Sequence, residues 1–404
     1  MEVTKGYKHS DIGIIPIDWN VDSVKNVASI NTGAKNTQDK IDDGEYPFFV
    51  RSSTVERINS YSFDGEAVLT AGDGVGTGKV YHYINGKFDF HQRVYKISNF
   101  IDEVDGYFFY LFFSNNFLKR IISMTAKSSV DSVRMDMIAN MEIPIPPKKE
   151  QNAIAQVLSD TDEQISSLEK LIEKKKLIKQ GTMQQLLTGK KRLPGFTQEW
   201  TEVHFSELAD DSINWSLTGG PFGSNLKAEE YTSDGVRIIQ LQNIGDGYFN
   251  DDYKIFTSEK KANELLSCNI YPGEIILSKM GDPVARACFI PEEGGRFLMA
   301  SDGIRLSINK KYYNKIFVKE SINSPFFRNQ AITNSTGTTR LRISLGTLKN
   351  LILILPSISE QNAIAEILNE IDSEIELLEQ KLNKYKAIKQ GMMQNLLTGK
   401  IRLV

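Results

Sequence analysis

Cysteine is nearly absent. Cys268 and Cys288 are the only two in 404 residues, with no CxxC and no histidine pattern beside either. That argues against a zinc site and a disulfide framework, and leaves two core thiols as the expected reading. Long apolar runs are also missing. The longest aliphatic stretch, Leu351 to Leu355, falls far short of the roughly 20 residues a membrane helix needs. Met1 to Gly13 has no apolar core, so no secretory leader is expected and the chain reads as cytoplasmic, with no membrane partner. Neither sign of charge dominates, 48 Lys and Arg standing against 51 Asp and Glu for a net charge of −3. A chain with that balance does not wrap nucleic acid through one broad basic face, and any grip must be local or shared with a more basic partner. The charge is uneven, with 10 basic against 6 acidic residues over Lys148–Leu193 and 15 against 19 over Met1–Pro147.

Catalytic signatures are missing as well. Gly72-DGVGTGK-Lys79 resembles a phosphate loop, but a Walker A motif needs glycine where Asp73 stands and Ser or Thr where Val80 stands. Thr77 occupies the third glycine position of GxGxxG. A tight hairpin loop is the better reading. Ser324-PFF-Phe327 lacks the second proline of an adenine-methylating loop. No Asp…Glu-x-Lys nuclease cluster stands out, and His9, His82, His91 and His204 join no Ser/His/Asp set. The sequence itself carries no chemistry.

A repeat is present instead. Glu150–Leu193 aligns with Glu360–Leu403 without a gap, and 26 of the 44 positions are identical, including EQNAIA, IKQG and LLTGK. Within the second copy Ile364, Leu368, Ile371, Ile375, Leu378, Leu382 and Tyr385 alternate gaps of four and three, the spacing of a coiled-coil seam. The first copy places Ile154, Leu158, Thr161, Ile165, Leu168, Ile172 and Lys175 in that register. A narrow stripe on a lone helix stays wet, whereas two such helices in one chain cover each other. Prolines precede each helix, and Gly189 and Gly399 are expected C-terminal caps. Gly181 and Gly391 are expected to interrupt the helices, so that Thr182–Leu187 and Met392–Leu397 bend away as short final helices.

The blocks between the repeats hardly match each other, yet share a style. Glu66–Tyr83 and Gly273–Ile290 both read as strand, turn, strand. Each block opens on a tryptophan, PIDWNVDSV at Pro16 and FTQEWTEVHF at Phe196, and closes on an Ile/Leu strand running into proline. The linker Gly189–Trp200 begins like the C-terminal Gly399–Val404 and ends like Pro16–Trp19. Joined tail to head, the chain becomes a ring of two equivalent units, whose pseudo-two-fold axis runs the long helices antiparallel with the variable blocks at opposite ends.

A helix ending in IKQG and LLTGK, preceded by P-x-x-x-EQ and used twice around two divergent domains, resembles the specificity subunit of Type I restriction-modification systems over essentially the whole chain. The resemblance implies an α+β chain: two α/β target recognition domains, at 1–147 and 194–357, joined by two long antiparallel coiled-coil helices, at 148–193 and 358–404, with pseudo-two-fold cyclic symmetry. It implies a non-catalytic subunit in which each recognition domain reads one half of a bipartite double-stranded DNA target. The helices would space the halves and bind two modification subunits. Those subunits would carry S-adenosylmethionine for adenine methylation, restriction subunits would use ATP and Mg, and this chain would hold no cofactor or metal. The competing reading is a coiled-coil scaffold without base readout.

Base reading needs Arg or Lys for guanine, Asn or Gln for adenine, and short hydroxyls at the groove floor. In the first block the candidates are Lys35, Asn36, Arg51, Ser52, Ser53, Gly72, Asp73, Gly74, Gln92, Arg93, Ser128, Ser129 and Arg134. In the second they are Ser224, Asn225, Lys227, Gln240, Gln242, Asn243, Lys279, Arg286, Arg305, Thr338, Arg340 and Arg342. Thr336-GTTRLR-Arg342 is the densest such segment.

Overall fold

A computed structural model describes residues 5–10, 12–124 and 132–403. The chain forms two compact units, Met1–Lys170 with Glu379–Val404, and Leu171–Leu378. Each therefore holds one variable block plus part of both long helices.

In the first unit six strands form a sheet ordered Ser29–Thr32, Val94–Ser98, Phe63–Ala71, Tyr81–Phe90, Tyr46–Phe49 and Val55–Ile58, antiparallel except where Tyr46–Phe49 meets Tyr81–Phe90. The expected strand–turn–strand is its centre, Leu69 lying opposite His82. Side chains alternate across it as a pleat requires. Ala67 and Leu69 join Phe49, Phe88 and Phe90 on one face, while Val68 and Ile97 join the other core. That second face is covered by the helix Gly106–Met124. Its Phe109, Phe113 and Phe117 recur every fourth residue, so their rings stack down one side at centroid distances of 5.5 and 4.5 Å. Asp105 caps it by accepting the Phe108 amide at 2.8 Å.

The second unit uses the same central idea with shorter strands. Ile275–Ser278 pairs antiparallel with Ala287–Phe289 and Gly303–Leu306, and Leu217–Gly219 completes that sheet. A five-stranded sheet built around Val236–Ile239 and Phe297–Met299 stands beside it. Ile275 and Leu277 face Phe317 and Phe327, while Ile276 faces Met299 and Cys288. The covering helix is split into Lys315–Asn323 and Pro325–Thr333, because Ser324 is extended and Pro325 starts a new helix. Asn314 caps it by accepting the Ile316 and Phe317 amides. In each unit the strand after the tryptophan pairs with the strand before the prolines: Asn20–Ser23 with Glu142–Ile145, and Thr201–His204 with Ile352–Leu355.

The long helices are Lys148–Leu186 and Ile358–Leu396, each an unbroken 39 residues. This corrects the expected bend at Gly181 and Gly391. A side chain added at either glycine would meet nothing within 4 Å, and neither has positive φ. Each costs about 1 kcal/mol of helix propensity. Beyond them Leu186 and Leu187, and likewise Leu396 and Leu397, are buried in the unit cores and keep the last turn helical. Gly189 and Gly399 adopt φ of +66° and +69° and end the helices as left-handed caps.

Ion pairs fix the direction of the helices. In the first unit Lys389 meets Asp162 at 2.6 Å and Lys386 meets Glu169 at 2.7 Å. In the second, Lys179 meets Asp372 at 2.6 Å and Lys175 meets Glu374 at 2.7 Å. One number falls as the other rises, so the helix segments paired in each unit run antiparallel. Ile154, Leu158, Leu168 and Ile172 are buried, as are Ile364, Leu368 and Ile375, while Ile165, Ile371, Leu378 and Leu382 are half-buried.

The EQ that opens each repeat is buried. Arg402 donates to both oxygens of Glu150, 1% exposed, at 2.6 and 2.8 Å, and Trp19 Nε1 donates to Glu150 Oε2 at 3.0 Å. Arg192 grips Glu360 at 2.6 and 2.6 Å. Gln151 and Gln361 tie the helix start to the domain. Their amides donate to the Pro146 and Pro356 carbonyls, and their carbonyl oxygens accept the amides of Asp105 and Asn314. Tail and head meet in the first unit, where Tyr7 donates its hydroxyl proton to the Gly399 carbonyl at 3.1 Å.

Arg402→Ala would strand a buried carboxylate, a change that costs about 3–5 kcal/mol. The expected outcome is a comparable loss in urea unfolding of the first unit, largely recovered when Glu150→Leu is added. A single-variant loss below about 1 kcal/mol, the level of a surface pair, would show the pair to be incidental.

The identical residues Glu150, Asp162, Lys179 and Arg192 find their partners in the other copy, so one copy contains a complete complementary set. A chain ending before Glu360 is therefore expected to associate with a second such chain. Light scattering after size exclusion reads this directly, and a well-folded monomer is the contrary result.

Candidate DNA interface

The first unit gathers most of its candidates around one loop. Between Phe63–Ala71 and Tyr81–Phe90 the chain turns through Gly72–Val80, and Gly72 is pinned on both sides. Its amide donates to the Arg93 carbonyl at 2.8 Å, and its carbonyl accepts the Val133 amide at 2.7 Å. A Cβ on Gly76 would lie 2.2 Å from the Arg51 carbonyl, so only glycine lets that segment approach. Arg51 and Arg93 both reach the Asp73 carboxylate, at 3.0 and 3.7 Å. Gln92 donates to Asn36 at 2.5 Å, and its amide donates to the Lys35 carbonyl. Behind this turn His91 is buried and accepts the Arg93 amide on Nδ1 at 2.9 Å, and burial lowers its pKa. Arg51, Ser52, Ser53, Gly74 and Lys79 line an open cleft of about 650 Å³, with Val75 exposed at the loop tip. Arg134 is exposed and pairs with Asp136 at 3.6 Å. Ser128 and Ser129 lie outside the described residues.

The second unit repeats this register. Its central loop, Lys279–Arg286, is pinned at Lys279: the amide donates to the Asp302 carbonyl at 2.7 Å and the carbonyl accepts the Ile343 amide at 2.9 Å. The Thr336–Arg342 segment is a hairpin, Thr336 and Arg342 exchanging backbone bonds of 2.9 and 2.8 Å, with Gly337 at φ +101°. Gln242, Gly281, Arg286, Thr338, Thr339 and Arg340 line a cleft of about 640 Å³. Arg342 pairs with Asp302 at 2.6 Å.

Several candidates are committed elsewhere. Arg305 is 3% exposed and clamps Glu274 at 2.8 and 2.7 Å, with its guanidinium over Tyr271. Asn243 is fully buried, accepting the Gln240 amide and donating to the Asn250 and Tyr253 carbonyls. Neither can touch a base without being unmade, so both are corrected to structural residues. Arg286 donates to the Ile244 and Leu241 carbonyls, which braces one wall of the cleft. Lys279 donates to the Ser301 carbonyl at 3.0 Å, and burial lowers its pKa. Gln240 is half-buried, its side chain near the Tyr231 hydroxyl. Ser224, Asn225 and Lys227 are exposed on a separate loop beside Phe222. Lys79, Gly281 and Thr339 line the clefts and were not among the candidates, although all three lie in the quoted loops. Asp302, which pairs with Arg342 from 40 residues away, gives no local signal.

Among the described residues no helix is long and apolar enough to cross a membrane, and no cluster of ligating side chains could hold a metal.

Comparison with known proteins agrees with this duplicated architecture. The model of the Type I restriction modification DNA specificity domain matches residues 16–180 and again 232–387. The chain is 26% identical to the Type I restriction enzyme MjaVIII specificity subunit of Methanocaldococcus jannaschii, over 96% of this chain and 94% of that one. It is 22% identical to the EcoDI specificity subunit of Escherichia coli, over 96% and 89%. Its fold is similar to the crystal structure of the S subunit of a Type I system from M. genitalium, with a TM-score of 0.63 at 16% identity over 98% of both chains. Two matched stretches covering most of the sequence, one in each copy of the domain-plus-helix pattern, place the chain in the family of Type I restriction-modification DNA specificity subunits.

Proposed function

We propose that each unit reads one half of a bipartite DNA target through its cleft, and that the long helices hold the halves at a fixed spacing. The observation that carries this reading is the matched pair of clefts. Both are built on a pinned central loop, and both carry arginine and hydroxyl groups, joined in the second by the Gln242 amide, the donors and acceptors that read base edges. Matched at their pinned residues, the two loops share only the glycine at Gly74 and Gly281 and otherwise differ, as two unrelated half-sites require. Net charge near neutrality fits a reader whose grip on phosphates is completed by partners. Ile178 and Ile388, the same position of IKQG in the two repeats, are exposed on the helices. They suit docking of two copies of one partner, the modification subunit. Methyl transfer to adenine from S-adenosylmethionine belongs to that partner, and ATP- and Mg-dependent cleavage to restriction subunits. This chain contributes recognition alone.

Arg340→Ala with Arg342→Ala tests the second cleft. A lost bidentate base contact costs about 1–3 kcal/mol at one base pair, whereas a lost phosphate contact weakens all sequences alike and flattens the salt dependence. Methylome sequencing of cells carrying the variant and its modification partner should show relaxed specificity in one half-site and an intact other half. Unchanged specificity in both would remove the hairpin from the interface.

Spacing is tested on the helices themselves. Four residues added after Leu168 and four after Leu378 lengthen each helix by about 6 Å, or roughly two base pairs at about 3.4 Å. The half-sites should persist while the unspecified spacer grows. An active lengthened variant with the original spacer would sink the proposed ruler.

A further inference from the structure

A carboxylate is an unfavourable neighbour for a surface that faces phosphates, yet beside each cleft one is held against exposed arginine, Asp73 against Arg51 and Arg93 and Asp302 against Arg342. We infer that Asp73 and Asp302 are positioning residues that set base discrimination by aiming those arginines, and that they touch no base themselves. The inference rests on the reading of both clefts as DNA-facing.

Asp73 lies between two arginines that arrive from different directions. Arg51 follows the strand Tyr46–Phe49, and Arg93 precedes Val94–Ser98. Arg51 Nη1 is 3.0 Å from Asp73 Oδ1, and Arg93 Nε is 3.7 Å from Oδ2. The two arginine side chains nevertheless stay 45% and 64% exposed. A guanidinium has five N–H donors in a rigid fork, so a carboxylate on one edge leaves the other edge free to meet a guanine. Left alone, an arginine side chain samples many rotamers, and much of that freedom is lost when two donors must align with one base. The anchor itself is held by backbone: Gly72 is bonded on both sides, and Gly74 follows with φ +79°.

The second cleft reaches a similar arrangement with the parts exchanged. Here the carboxylate stands on the turn, not on the central loop. Asp302 accepts from Arg342 Nη2 at 2.6 Å, its carbonyl holds the Lys279 amide, and Arg342 remains 55% exposed. Two unrelated loop sequences thus both place one carboxylate behind an exposed guanidinium.

Charge and aim make opposite predictions, which is what makes the idea testable. Removing the negative charge strengthens attraction to any phosphate backbone. Releasing the arginines weakens the preference for the right base. In the complete complex with the modification subunit, Asp73→Asn is therefore expected to raise affinity for unrelated duplex DNA. At the same time the preference for the cognate site over single-base variants of the first half-site should fall about tenfold, the effect of losing one ordered base contact. Preference at the second half-site should stay as it was. Asp302→Asn should do the converse, and Asp73→Glu should restore part of the lost preference. Arg51→Ala and Arg93→Ala serve as reference. If they leave first-half preference intact, the DNA-facing reading of that cleft fails. If they abolish it while Asp73→Asn preserves it, only the positioning role fails. A uniform loss of affinity for every duplex in Asp73→Asn, with discrimination unchanged, would also overturn the inference.

Discussion

The ion pair between Glu150 and Arg402, with its counterpart between Glu360 and Arg192, is the constraint on which the architecture turns. A carboxylate taken out of water at the start of a helix costs several kcal/mol unless it is matched by charge and geometry. Here a bidentate guanidinium matches it, and in the first unit the Trp19 indole adds a third bond. In both units the arginine comes from the chain just beyond the other helix. The helix start, the helix end and the tryptophan strand of each unit are thereby closed into one junction. The second unit is not a perfect copy: the Trp200 indole nitrogen is buried without a hydrogen-bond partner among the described residues. The guanidinium lies over the indole in both, at 5.7 Å from Trp200 and 5.8 Å from Trp19.

That junction explains which residues are duplicated. Positions identical in both repeats include most of the acids and bases that pair across helices, the glutamine that ties each helix to its domain, and the leucines of the last turn. Positions that differ lie largely on the exposed faces. An antiparallel pair built from two copies needs both partners of the junction pair in each copy, because each copy supplies the acid at one junction and the base at the other. The same constraint leaves the domains free. What they must keep is a pinned loop between two central strands and a capped helix that the buried glutamine can hold. Their remaining surface can change without disturbing the frame.

Much of this was legible in the sequence because it repeats or is periodic. The duplication, the burial of Ile154, Leu158, Ile364 and Leu368, the strand–turn–strand blocks and the glycine caps all follow from spacing and turn chemistry. The uninterrupted helices were not. Gly181 and Gly391 carry a local propensity against helix of about 1 kcal/mol, and the burial of Leu186 and Leu396 in the unit cores outweighs it. A local rule lost to tertiary packing. The site was legible only as loops. Residue type cannot separate Arg305, buried against Glu274, from Arg340, exposed at the cleft, since both are arginines in segments rich in turn residues. Nor can it separate Asn243, which holds its own turn together, from Gln242, which points into the open.

The corrected residues also clarify what the exposed ones can do. A loop that reads bases must hold its shape before DNA arrives, or ordering it on binding consumes the free energy that contact releases. Asn243 supplies that order from below, Arg286 braces the wall by donating to two backbone carbonyls, and His91 braces the Gln92–Arg93 turn by accepting the Arg93 amide. On the proposed reading, polar residues inside these domains shape the recognising surface without touching the target. The chain carries so many charged and amide side chains near its clefts because some build the surface and others present it. If each unit reads its own half-site, only the second kind has reason to differ between them.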